Sequence, residues 1–363
     1  MNEVEKIEKR KVSVHPLWAK FILILSIVGP GIITANIDND AGGIAIYSLL
    51  GAETGYRLIW LLLPITVALI IVQEMSARMG IVSRKGLADL IREKYGLKIT
   101  FYLLILLIFA DLGNTMAEFA GIASASEIFG ISKYISVPIC SLFVWLLVLK
   151  GDYKIVERVF IAGCLVYLSY IVSGVMIKPD WPTIGNSLIM PDFKGIRPSD
   201  WHLIVAFMGT SITPWMQFYI QSAVVEKEIS IKHLKYSKID VLIGCLFMST
   251  VTLFIIICCA ATIHQSGITI SDAKDAAMAL KPLAGEYSAA LFAIGLFNAS
   301  IFSAALLPIA TSYYVCEGMG WESGVDKTFK EAPHFFSIFT ALVVISTIMI
   351  LMPNEVNDMN YAN

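Results

Sequence analysis

Gly29-Pro30-Gly31-Ile32-Ile33-Thr34-Ala35-Asn36-Ile37-Asp38-Asn39-Asp40-Ala41-Gly42-Gly43 is the stretch on which the reading turns. It lies inside an apolar run from 21 to 50, long enough to cross a bilayer. Near the middle of that run stand two carboxylates, an amide and a glycine pair. A carboxylate at bilayer depth costs on the order of 3 kcal/mol, so Asp40 is expected to line a cavity or meet a cation. Gly42-Gly43 weakens the helix at that point and frees backbone carbonyls. Carbonyls beside a carboxylate form an oxygen-rich place for a hard cation. The plainer alternative is that Asp38 and Asp40 cap two half-helices across a kink, since Asp favours such positions.

A second interruption falls in another apolar run, at Gly209-Thr210-Ser211-Ile212-Thr213-Pro214-Trp215. Pro214 removes an amide donor and clashes with the turn before it, which leaves carbonyls around Thr210 and Ser211 without helical partners. The hydroxyls of Thr210, Ser211 and Thr213 add further oxygen, although a Pro kink with Thr neighbours is also ordinary membrane-helix architecture. Two interrupted segments, each opening one half of the chain, point to a midplane transport site between inverted repeats. A third anomaly is Glu118, inside the third apolar run, with Asp111 seven residues earlier on roughly the same helical face. Intramembrane carboxylates of this kind often mark a proton or ion path.

The composition agrees with a membrane interior. Of 363 residues, 57% are hydrophobic and only 15% charged, and the mean hydropathy is +0.73. Soluble domains carry about 25% charged residues. The chain is therefore read as an all-α polytopic membrane protein. Nine spans are expected, at 21–50, 56–79, 99–129, 134–150, 153–177, 201–225, 237–264, 286–316 and 334–352. A charged segment, 1–20, precedes this 21–352 transmembrane domain, and a polar tail, 353–363, follows it. Of the 27 Lys and Arg, 20 fall on one side of this layout, which places the N-terminus in the cytoplasm and the protein in the cell (inner) membrane. A net charge of -2 with no basic block argues against nucleic-acid binding.

The six cysteines sit singly or adjacent in apolar runs without metal spacing and read as small buried hydrophobes. Glu74 and Arg78, four apart near the end of the second span, read as a structural ion pair. No H-E-x-x-H, G-x-S-x-G or Walker pattern occurs, so an enzyme reading lacks a nucleophile and base, and no cofactor is expected beyond a transported cation.

At Gly29-Pro30-Gly31, Asp40-Ala41-Gly42-Gly43, Gly51-Ala52-Glu53-Thr54-Gly55-Tyr56 and Gln73-Glu74-Met75-Ser76-Ala77-Arg78-Met79-Gly80 the chain resembles the NRAMP divalent-metal transporters. The resemblance implies a LeuT-type inverted-repeat bundle with broken first and sixth helices. It also implies a metal site at Asp40, Gly43, Thr210 and Thr213, and a proton or ion path past Glu118, Asp38 and Trp215. The departures are specific. The family's Asp-Pro-Gly-Asn reads Asp40, Ala41, Gly42, Gly43 here, so the carboxylate is kept and the amide is gone. Its Met-Pro-His reads Thr213, Pro214, Trp215, and its third-helix Asp-x-x-Glu reads Thr115 and Glu118. These replacements resemble the NRAMP-related magnesium transporter branch.

A thioether favours softer transition metals, whereas oxygen suits Mg²⁺, Ca²⁺ and Mn²⁺. Mg²⁺ dehydrates reluctantly and usually keeps several waters. The expectation is a secondary transporter importing Mg²⁺ in partly hydrated form, with weak or no proton coupling. The alternatives are a proton-coupled Mn²⁺/Fe²⁺ importer, an amino-acid permease on the same fold, and a shortened, non-transporting membrane protein. The family has at least ten helices, so the resemblance implies that the tenth is dispensable here, that an oligomer or partner supplies it, or that the form is a shortened one.

Overall fold

The structure is a computed structural model that describes residues 29–150, 153–193, 195–271 and 273–352. The segment 1–20, the start of the expected first span and the tail 353–363 lie outside the described residues. Everything described is helix or connection. The expected first span is two half-helices, α1 (Pro30–Ile37) and α2 (Ala41–Thr54). Pro30 starts α1, where its missing N–H costs nothing. Asp40 caps α2, and Gly55, at φ 59°, ends it.

A 3₁₀ turn (Ile59–Leu61) leads into α3 (Leu62–Ser83). Next comes α4 (Leu87–Ile128), which starts a dozen residues before the expected span at 99. Gly96, at φ 82°, kinks it into a surface piece and a spanning piece. Helix α5 (Lys133–Lys150) follows the sequence reading closely. The fifth expected span is broken into α6 (Tyr153–Cys164) and α7 (Leu168–Met176), which no Pro announced. Tertiary contacts hold that break. Asn298 Nδ2 donates to Gly163 O at 3.1 Å, and a Cβ on Gly163 would lie 1.8 Å from the Phe302 ring. The connection that follows contains the short helix α8 (Trp181–Ile189).

The sixth span is again a pair, α9 (Trp201–Ser211) and α10 (Pro214–Glu226). Beyond it come α11 (Leu234–Cys259), which runs on into a π turn at Ala260–His264, and the short α12 (Ala273–Ala284). The last two elements are α13 (Glu286–Met319) and α14 (Pro333–Leu351). Among the described residues, eight segments are long and apolar enough to cross a membrane. The two halves of the first span, 8 and 14 residues, each fall short of the ~20 residues a crossing helix needs.

Large apolar side chains cover the outside: Leu106, Phe109, Ile139, Leu165 and Val205 are all exposed. In water such a surface would aggregate; in hydrocarbon it is the low-energy surface. Helices that gain nothing from hiding apolar surface associate through close backbone contact at small residues. That is how α11 holds α1. A Cβ on Gly31 would lie 2.7 Å from Val241 N, and one on Gly244 would lie 2.6 Å from Gly31 O. Likewise α4 meets α13 where Gly121 faces Ser300 Oγ. Polar pairs close the ends of the bundle. Glu74 takes Arg78 at 3.5 Å, as expected, and also Lys238 at 2.8 Å from α11. All six cysteines are buried and free.

Candidate metal centre

Helix α9 packs on α2, and α10 packs on α1, so the two breaks lie side by side. Tyr47 of α2 and Phe207 of α9 stack edge to face at 5.6 Å, and Tyr47 Oη lies 3.5 Å from Ser211 Oγ. Four half-helix ends therefore meet at one depth: the N-termini of α2 and α10 and the C-termini of α1 and α9. Such ends bring unpaired N–H groups with partial positive charge and unpaired C=O groups with partial negative charge.

Asp40 stands at the N-terminus of α2, with Oδ1 accepting the Gly43 N–H at 2.6 Å. The capping alternative is thus realised for Asp40, and it leaves Oδ2 for other uses. Glu118 reaches the same helix end from α4, its Oε2 accepting the Ala41 N–H at 3.1 Å. Asp40 is 8% exposed and Glu118 1%, so two carboxylates share a dry site at the positive end of one helix. Gly43, expected among the ligands, sits inside the first turn of α2 and gives its N–H to Asp40. It supplies room: a Cβ there would lie 2.8 Å from Asp38 O and 3.1 Å from Asp40 Oδ1.

Across the junction, Thr210 lies in the last turn of α9, where carbonyls have no intrahelical partner. Thr213 caps α10 in extended geometry without using its side chain, and Pro214 follows at the first helical position. The buried Thr213 Oγ1 has no partner, and neither has Trp215 Nε1. Asp38 ends α1; it is 1% exposed, and its Oδ2 is also unpartnered. It neighbours Tyr47, as Asp40 does, and also Cys245 of α11. Among the described residues, no three of His, Cys, Asp and Glu converge as a metal-holding group. A cation here would rely on one or two carboxylates with neutral oxygens and water.

Several supporting residues escaped the sequence reading. Asp240 of α11 is buried and caps α1 from outside, its Oδ2 accepting Gly31 N–H at 2.7 Å and its Oδ1 accepting Gly29 N–H at 3.1 Å and Ile32 N–H at 3.3 Å. An isolated acid in an apolar run was the available signal. Asn39 is tied to α11 as well, Oδ1 accepting from Thr252 Oγ1 at 2.8 Å. Ser303 of α13 donates to Ile37 O at 3.2 Å, taking one carbonyl freed by the break. Asp111, which the sequence reading did name beside Glu118, is satisfied within the bundle, its Oδ2 accepting from Thr311 Oγ1 at 3.1 Å and from Tyr314 Oη at 3.0 Å.

The same architecture is found in solved transporters. A mutant of the Eremococcus coleocola manganese transporter superposes with a TM-score of 0.81 at 19% identity, covering 97% of this chain and 75% of that one. A Na⁺-coupled sialic acid symporter gives 0.65 at 11% identity, covering 99% of this chain and 78% of that one. The bundle is thus the LeuT-type fold. In sequence, the chain is 25% identical over 310 residues to the divalent metal cation transporter MntH of Deinococcus radiodurans, which spans 82% of this chain and 70% of that protein. MntH of Yersinia pestis is 27% identical over 288 residues, 77% of this chain and 69% of that one. The family model described as natural resistance-associated macrophage protein-like matches residues 31–362, and with that match over nearly the whole chain the protein belongs to the Nramp family.

Proposed function

We propose that this protein imports a divalent metal cation, Mg²⁺ ahead of the others, in partly hydrated form through the junction of α1, α2, α9 and α10. The reading is carried by the pairing of Asp40 with a wall of unpartnered polar atoms. Thr213 Oγ1 can accept a hydrogen bond and Trp215 Nε1 can donate one, and neither has a protein partner. A buried polar atom left so costs about 1–3 kcal/mol, unless water or a hydrated ion satisfies it. Asp40 supplies the charge, the terminal carbonyls of α9 supply neutral oxygen, and water on the ion reaches the Thr and Trp groups. Thr213 stands where a softer site would carry sulfur, so the donor set is hard and suits Mg²⁺.

With the N-terminus in the cytoplasm, the membrane potential draws the ion inward, at about 2.3 kcal/mol per elementary charge per 100 mV and twice that for a divalent ion. That drive supports uptake without obligatory proton coupling. Glu118, against the Ala41 N–H, is a third acid at the junction beside Asp38 and Asp40, and internal pH recorded during uptake tests whether it carries a proton. A second reading, a proton-coupled Mn²⁺ importer, draws on the names of the relatives and of the Eremococcus neighbour.

Flux of Mg²⁺ and Mn²⁺ into proteoliposomes, each competing with the other, separates the two. Excess Mg²⁺ is expected to suppress Mn²⁺ uptake. Thr213→Met should move the preference toward Mn²⁺ by about tenfold, equivalent to about 1.4 kcal/mol. Mn²⁺ uptake that ignores excess Mg²⁺ would remove the magnesium reading and leave the manganese one.

A further inference from the structure

Between α5, the α6–α7 break and α13 lies a cavity of about 310 Å³. Phe143 and Val144 of α5, Val159 and Phe160 of α6, and Ile301 and Phe302 of α13 stand in its walls. None of the residues lining it is charged. Asn298 is the polar side chain there, and its Nδ2 is spent on Gly163 O at 3.1 Å, the bond that holds the break. Phe143 is 48% exposed and Ile294 43%, so the cavity opens outward past them. Its walls belong to membrane-spanning helices, midway along α13 and in the second half of α5. That is the depth of fatty chains rather than of headgroups, and hydrocarbon stands at the mouth.

The inner wall connects this cavity to α1. Phe160 meets Phe302 edge to face, with ring centroids 5.2 Å apart, on the cavity side. Phe160 also lines a narrow seam of about 10 Å³ with Ile33 of α1, Tyr219 of α10 and Tyr313 of α13. A space of that size has room for about one water. The Phe160 ring is therefore the partition between the lipid side and the seam beneath the junction. Val166 lines the cavity too, and the next residue, Tyr167, puts its Oη 3.5 Å from Asn39 O, between α1 and α2.

An apolar cavity of about 150 Å³ already stays dry and takes a ligand the size of benzene. Left empty, this larger one would leave its wall atoms without contacts on one side and the Phe160 ring free to fall back into it. A helix of a second copy does not fit. With side chains a helix is about 10–12 Å across, so a single turn of it exceeds the available volume. An unbranched methylene chain entering end-on does fit.

We propose that the cavity binds one acyl chain of a bilayer phospholipid, and that this chain, packed behind Phe160, holds the ring against Ile33 and keeps the seam shut. The lipid chain acts as a wedge on α1 from outside the bundle. The proposal needs no transported ion, so failure of the divalent reading leaves it standing.

The test uses the full chain in liposomes that contain a phosphatidylcholine with a diazirine near the end of one chain. After irradiation, adducts are mapped by mass spectrometry. They are expected to concentrate at 143–147 and 294–305, several-fold above those at Leu106, Phe109 and Val205, which face lipid outside the cavity. Ile301→Phe fills the space with a ring and should cut the cavity adducts about tenfold while leaving those at Leu106 unchanged. Should it fail to fold, Val159→Phe fills the same space from the opposite wall. The wedge is read separately, from the reaction of the Ile33→Cys thiol with a water-soluble maleimide. The six native cysteines are all buried, and the wild type gives their background. The thiol should react several-fold faster in diphytanoyl bilayers, whose methyl-branched chains are too wide to enter, than in straight-chain ones. Adding Ile301→Phe, which carries its own filler, should make the two rates equal and slow. Adducts spread evenly over the lipid-facing residues, or undiminished in the filled variants, overturn the site. Equal thiol rates in the two bilayers without the filler overturn the wedge.

Discussion

Asp40→Ala is expected to reduce divalent-cation uptake to that of protein-free vesicles. The variant removes the carboxylate that faces the junction, and among the described residues no group of three His, Cys, Asp or Glu side chains is placed to hold a metal ion instead. Losing the charged ligand of a small hydrated ion costs on the order of 3 kcal/mol, or about a hundredfold in occupancy. It also removes a helix cap, because Oδ1 holds the Gly43 N–H at 2.6 Å, a loss of about 1 kcal/mol. Asp40→Asn separates the two effects. Asn caps as well as Asp does, so the melting temperature should stay near wild type while uptake is lost. Uptake by Asp40→Asn within twofold of wild type would show that the ion is held elsewhere.

The second large effect is expected at Asp240, and it is one of stability. Asp240→Ala leaves the N–H groups of Gly29, Gly31 and Ile32 without an acceptor, at the positive end of an eight-residue helix. Each buried orphan costs about 1–3 kcal/mol. The bonds at 3.1 and 3.3 Å are the weaker ones, so a total of about 3–4 kcal/mol is the reasonable scale. The melting temperature in detergent should fall by several degrees, with uptake reduced in proportion to the folded fraction and by misplacement of α1. A melting temperature within one degree of wild type, read against about 2–4 °C per kcal/mol for domains of 150–250 residues, would mean that α1 is held by its glycine contacts alone.

Much of the fold was legible because helix breaks have local causes. Gly29-Pro30, Asp40 with the glycine pair, and Thr213-Pro214 each act through their own dihedral preferences and missing donors, and both breaks fall where those residues placed them. The α6–α7 break has no such local cause. It depends on Asn298 and Phe302, more than 130 residues away, and no period in the sequence carries that information. The kink at Gly96 hid for another reason. The surface piece of α4 is polar enough to read as a loop, although it is helical from Leu87.

The site divides in the same way. Asp40, Thr213 and Trp215 could be named because an acid, a hydroxyl and a Pro break stand out in apolar runs. What they face could not be read. Asp38 ends α1 and Asp40 caps α2, although only Asn39 separates them. Glu118 meets Ala41 across 77 positions, and Asp240 meets Gly31 across 209.

The gap at residues 38–40 makes α1 a lever. Eight residues at about 1.5 Å each give an arm of roughly 12 Å, so a pivot of about 20° at Asn39 would swing the Gly29 tip by roughly 4 Å. That displacement is wider than a water molecule, yet at the fulcrum Asp40 would hardly travel. The tip is where Asp240 grips, so the clasp that steadies the folded arm is also the one that must let go for the arm to turn.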